Sequence, residues 1–185
     1  MKLKIYSLTM LVALVLVFHG NELKAQAASP VLTKKRDTNK KLDLQLLVTD
    51  IIGNHMRADS VWKLPKNYSF IYSIAISFDS AGQIENVYFS GKMPQTLIGI
   101  LNPINTLKTK IRERWNNARE QKPDYSGKVV IFPILLQRES DRQISNVNEL
   151  LEGFLNLWPD IDERDDKKMK ILLKPFPNFI YQSVN

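Results

Sequence analysis

The stretch that decides the fold is Phe70 to Gln83, FIYSIAISFDSAGQ. Apolar residues occupy every even position from Tyr68 to Phe78, and small or polar residues fill most of the odd ones. Alternation with a period of two marks a strand with one face on a core. Asp79-Ser80-Ala81-Gly82-Gln83 carries turn chemistry: the Asp side chain can bond its own downstream backbone, and Gly82 can take positive φ. In the following IENVYFSG, the step from Ile84 to Val87 is three rather than two. One extra residue near Glu85 or Asn86, a bulge, restores the apolar side chains to one face. The segment therefore predicts two antiparallel strands with one side buried and the other wet, Tyr68 to Phe78 being the inner strand.

Working outward, Leu44, Leu47, Val48, Ile51, Ile52 and His55 recur at spacings of three and four, which predicts an amphipathic helix from about Leu42 to Arg57. Lys92 to Pro103 is a short helical turn or a packed loop between prolines. A helix over Thr106 to Gln121 puts Leu107, Ile111, Trp115 and Ala118 on one stripe, with Lys and Arg around it. Lys128 to Gln137, KVVIFPILLQ, reads as a third strand in which Pro133 cannot donate to a ladder and so belongs at an edge or a bulge. A helix from about Asn148 to Trp158 puts Leu150, Leu151, Phe154, Leu155 and Trp158 on one face, with Pro159 ending it. Asp160 to Lys170 reads as a charged solvated loop. The tail, broken by Pro175 and Pro177, reads as a final short strand or an extended segment over the core.

The ends and the composition set the compartment. Lys2 and Lys4 precede an apolar run from Leu8 to Phe18, and Ala25-Gln26-Ala27 offers small residues for cleavage, the layout of a secretory signal over residues 1–27. The run is too short for a bilayer span, which needs about 20 residues. A periplasmic or secreted product with no stable membrane span after cleavage is expected. Residues 28–41, ASPVLTKKRDTNKK, read as a disordered basic arm, and residues 42–185 as one α+β domain. The chain has no cysteine, which excludes a disulfide scaffold and a lipidated cysteine anchor. Its net charge of +7 falls to +5 without Lys2, Lys4, Lys24 and Glu22, a bias that suits a soluble surface and carries no nucleic-acid motif.

The residues give little support to catalysis. His55 is the only histidine after the signal, and no nucleophile elbow, zinc helix or phosphate loop is present. His55 is expected in the core or at its boundary. Asp160, Asp162, Glu163, Asp165 and Asp166 lack the spacing of a calcium loop and interleave with Arg164, Lys167 and Lys168. No catalytic, cofactor-binding or metal residues are assigned. A pair of carboxylates flanking a glycosidic bond is the enzyme alternative, with no residues nominated.

Taken in order, the Tyr68 strand, the Asp79-x-x-Gly82 turn, the bulged strand ending at Ser90, the Trp115 helix and the Gly127-led strand ending in FPILLQ resemble the carboxy-terminal domain of the TonB family. The resemblance covers about residues 68–137 as a ββαβ core, and leaves residues 146–185 as a helical and extended C-terminal extension. It implies binding rather than catalysis: the family's last strand presents an edge to an extended peptide, often from an outer-membrane transporter, by strand addition. Carried over, that edge is Val129, Ile131, Pro133 and Leu135. Pro133 departs from a continuous ladder, and the chain shows neither a retained anchor nor a Pro-rich spacer, so the resemblance does not extend to energy transduction. The resulting expectation is an exported α+β protein, a small antiparallel sheet packed on helices, that binds an envelope protein or peptide without a cofactor; a carboxylate hydrolase of envelope polymers or a scaffold domain are the alternatives. Oligomeric state is not written in the sequence.

Overall fold

The computed structural model describes residues 41–180; residues 1–27, read above as a signal, and residues 28–40, read as part of a basic arm, lie outside the described residues, as do residues 181–185. The fold is α+β. Strands β1 (Phe70–Phe78), β2 (Ile84–Phe89) and β3 (Lys128–Arg138) form an antiparallel set in the order β2-β1-β3. Two further strands, β4 (Met169–Leu172) and β5 (Phe176–Ile180), add to β3 in parallel, so the sheet is mixed rather than purely antiparallel. The inner position of β1 is as expected from its alternation.

The hairpin forms for the reasons its residues suggest. Asp79 Oδ1 accepts from the amides of Ala81 and Gln83, each at 2.8 Å, and Gly82 takes φ +74°. The turn is then pinned from outside, because the Gly127 amide donates to the Asp79 carbonyl and the Trp115 indole donates to the Gly82 carbonyl at 3.0 Å. Pairing runs Ser77 to Asn86 and then Phe78 to Ile84, which leaves Glu85 as the bulged residue.

Helices α1 (Leu44–His55), α2 (Ala58–Trp62), α3 (Gln95–Leu101) and α4 (Ile104–Asn116) cover one face. Asp43 caps α1 by accepting the Leu46 amide at 3.1 Å. The stripe Leu107, Ile111 and Trp115 of α4 is buried against Phe78, whose ring meets the Trp115 ring edge-on at 5.4 Å. Ala118 lies beyond the end of that helix. His55 is exposed, contrary to its apolar register: it sits in the last turn of α1, where its Nδ1 lies 2.8 Å from the Ile51 carbonyl oxygen.

The second face of the sheet is not wet. Ser73, Ala75 and Ser77 are buried beneath a layer made by the C-terminal third of the chain, which includes α5 (Val147–Leu155) and α6 (Glu163–Asp166). Small side chains on β1 make room for this close cover. Gly153 of α5 packs on Ile71, where even a methyl group would come within 2.7 Å of the strand's carbonyl oxygen. Polar contacts fasten the layer: Asn146 both donates to and accepts from the Ser69 backbone, at 2.7 and 3.0 Å, and the Ser73 hydroxyl donates to the Leu157 carbonyl. Sequence alternation reads such serines as solvent-facing because it cannot see a second layer arriving from 77 to 84 residues away.

Candidate functional site

The edge anticipated for a partner's strand is filled by the chain itself. Lys128 to Ile131 pair with β4, and Ile134 to Arg138 pair with β5. Between them, the Leu173 amide donates to the Ile131 carbonyl at 2.8 Å. Pro133, which has no amide proton, then falls opposite the break between β4 and β5, where Pro175 stands. Val129, Ile131, Pro133 and Leu135 do share one face of β3, alternate to the core residues Val130, Phe132, Ile134 and Leu136. Val129 and Ile131 are buried there with Ala75, against Tyr88 and Ile161, and Pro133 and Leu135 are half-buried. The open-edge expectation is thereby corrected: both edges of β3 are paired. The apolar, proline-broken tail was the available signal, since its break matches the break at Pro133.

The acidic segment after Pro159 is exposed at Asp160, Asp162, Glu163, Arg164, Asp166 and Lys167, as expected, but it is not a loop throughout and Asp165 is not solvated. Asp162 caps α6 by accepting the Asp165 amide at 3.0 Å, and the first turn of α6 turns Asp165 into the sheet, where it is fully buried. Lys168 Nζ lies 2.8 Å from its carboxylate, the Asn86 amide donates to it at 2.9 Å, and the Tyr88 hydroxyl lies 2.7 Å from both Asp165 and Asp162. Lys168 also donates to the Ser77 hydroxyl, the Phe78 carbonyl and the carboxylate of Glu85, the bulged residue. Burial pushes the Asp165 pKa up, but the hydrogen bonds from Lys168, Asn86 and Tyr88 outweigh it and hold the carboxyl well below the usual range. Burial and the two carboxylates push the Tyr88 hydroxyl far above its ordinary value. Asp165 thus stays ionised and Tyr88 stays protonated near neutral pH, so neither suits general acid-base exchange. Asp162 and Asp165 are close together, yet a shared hydroxyl fills the space between them and Asp165 has no exposed surface. Chemically this cluster is an anchor that fixes the C-terminal layer to β1 and β2.

A groove of about 770 Å³ runs between α1 and α4, lined by Leu46, Asp50, His55, Lys110, Glu113 and Arg114 among others. Leu46 is half-exposed in it. Its charges are mixed and do not converge on a point. Among the described residues, no group of three or more His, Asp or Glu side chains is placed to hold a metal ion. Nor is any helix there long and apolar enough to cross a membrane.

Helix α5 supplies the feature that stands out. Gly153 is its buried residue, with Leu150, Phe154 and Leu157 half-buried beside it. Val147, Leu151 and Leu155, four residues apart, lie on the outer side together with Trp158 just beyond the helix, and are 51, 43, 80 and 56% exposed. The apolar arc of α5 runs from Gly153 through Leu150, Phe154, Val147 and Leu151 to Leu155, opposite Asn148, Glu149, Glu152 and Asn156, and such an arc ordinarily faces a core. This one is covered on one side only. The apolar face expected from Leu150, Leu151, Phe154, Leu155 and Trp158 is thereby only partly covered: the side without a side chain, at Gly153, is what fits against β1, and that leaves Leu151, Leu155 and Trp158 outward. Comparison of the chain with family models, with curated proteins and with solved structures returns no match.

Proposed function

We propose that this chain is an exported, non-catalytic protein of the cell envelope, periplasmic or secreted, that binds a protein partner through the outer face of α5. The exposed row Val147, Leu151, Leu155 and Trp158 is the observation that carries the reading. Burying a leucine side chain is worth about 1.5–3 kcal/mol, so leaving several exposed side by side forgoes stability that a bound partner recovers. Trp is also among the residues most enriched at the energetic centres of interfaces. Export is supported by the basic start, apolar run and Ala25-Gln26-Ala27 of the first 27 residues. With the β3 edge self-paired, binding at this face needs no strand addition, and the reading does not depend on the TonB-like resemblance.

The test is site-specific photo-crosslinking in intact cells. A photoreactive residue replaces Leu155 in one strain and Arg112, an exposed residue of α4, in another. The expected result is a discrete adduct from position 155, none from position 112, and loss of the adduct when Leu151→Glu is added. No adduct at 155, or an adduct indifferent to Leu151→Glu in a folded protein, would overturn the proposal.

A further inference from the structure

Resting on that reading, we infer that the partner segment on α5 is a basic amphipathic helix. The shape comes first. Val147, Leu151 and Leu155 form an inclined ridge rising about 12 Å along one helix, at about 1.5 Å per residue. Such a ridge packs into the apolar side of a second helix, whose own anchors recur at three and four residues.

Charge then selects among helices. The chain as a whole is basic at +7, yet the segment that carries the ridge, residues 143–163, holds five acidic side chains, Glu149, Glu152, Asp160, Asp162 and Glu163. No Lys or Arg occurs from Gln143 to Glu163. Glu152 on α5 is exposed, one residue from Leu151 and three from Leu155, while the exposed Glu149 turns toward Tyr68 and Asp160 lies against Gly91. Opposite charge at the rim of an apolar contact steers association and rejects partners of the same sign. A second copy meeting ridge to ridge about Leu151 would bring Glu152 near its own equivalent. An anionic bilayer would face the same acidic rim. A helix with an apolar stripe flanked by Lys or Arg satisfies both the ridge and the rim.

The probes are two fluorescein-labelled model helices of 14 residues, one of Leu and Lys and one of Leu and Glu in the same amphipathic pattern, titrated with the folded protein by anisotropy. The wild type should bind the Leu-Lys helix, with affinity falling as salt rises, and should not bind the Leu-Glu helix. Leu151→Glu should weaken the Leu-Lys complex by about tenfold or more. Glu152→Lys with Asp160→Lys should weaken it several-fold and should admit the Leu-Glu helix. Circular dichroism establishes that each variant is folded. Equal binding of the two helices, or Leu-Lys binding unchanged in Leu151→Glu, overturns the inference. So does a dimer in light scattering that Leu155→Glu dissolves, or binding to anionic vesicles that needs Leu155. A position-155 adduct whose partner segment is not basic would sink this inference while leaving the proposed function in place.

Discussion

Lys168→Met removes the cation from a fully buried carboxylate while keeping most of the side chain's length. In the native protein Lys168 is 18% exposed and Asp165 is not exposed, with 2.8 Å between them. Stripping one partner from a buried pair costs about 3–5 kcal/mol, because the remaining charge is left desolvated. Here the Asn86 amide and the Tyr88 hydroxyl still donate to Asp165, and Lys168 retains some solvent contact, so the expected loss is about 2–4 kcal/mol. For a domain of this size that corresponds to a fall in Tm of roughly 4–16 °C. Urea unfolding should show a lower midpoint with an unchanged slope. Adding Asp165→Asn to Lys168→Met should cost less than the sum of the single changes, since the amide no longer needs the cation; the coupling should be about 1–3 kcal/mol. The pH dependence follows from the depressed folded pKa of Asp165. Its stabilisation is fully present above the unfolded value of about 3.9 and is lost as pH falls toward the folded one. The gap between wild type and Lys168→Met should therefore be widest near neutral pH and narrow in acid. A loss below about 1 kcal/mol at neutral pH, or strictly additive costs, would refute the view that this pair anchors the C-terminal layer.

Gly153→Ala sets two effects against each other: alanine favours an isolated helix by about 1 kcal/mol, but its methyl would sit 2.7 Å from the Ile71 carbonyl oxygen. The contact is with strand backbone and should win, so hydrogen exchange should quicken in residues 147–155 ahead of β1, and a rise in Tm would count against the close packing. Leu155→Glu, at a residue 80% exposed, should change stability by no more than about 0.5 kcal/mol in urea unfolding while abolishing partner capture; a large loss of stability would mean the residue is buried in solution. Gly82→Ala should cost about 1–2 kcal/mol, because φ is +74° there and Ser126 Oγ would lie 3.3 Å from the new methyl; unaltered thermal stability would contradict the turn geometry.

What the sequence determined by itself was local. The alternation of β1, the Asp79 and Gly82 turn chemistry and the bulge are decided within a few residues of one another, as is the Leu107, Ile111 and Trp115 stripe of α4. The physics there is short-range: side-chain period, backbone freedom at glycine, and a carboxylate reaching its own amides. The tertiary structure decided which faces and edges stay open. Ser73, Ala75 and Ser77 read as a wet face, yet they are small because α5 and the Asp165 cluster must approach them. Pro133 read as the mark of a free edge, but it fits a gap in a parallel partner that arrives from the far end of the chain. The outward row on α5 was hidden for the same reason. A broad apolar arc does not say which part of it is covered until the strand beneath it, with Gly153 against Ile71, makes the choice.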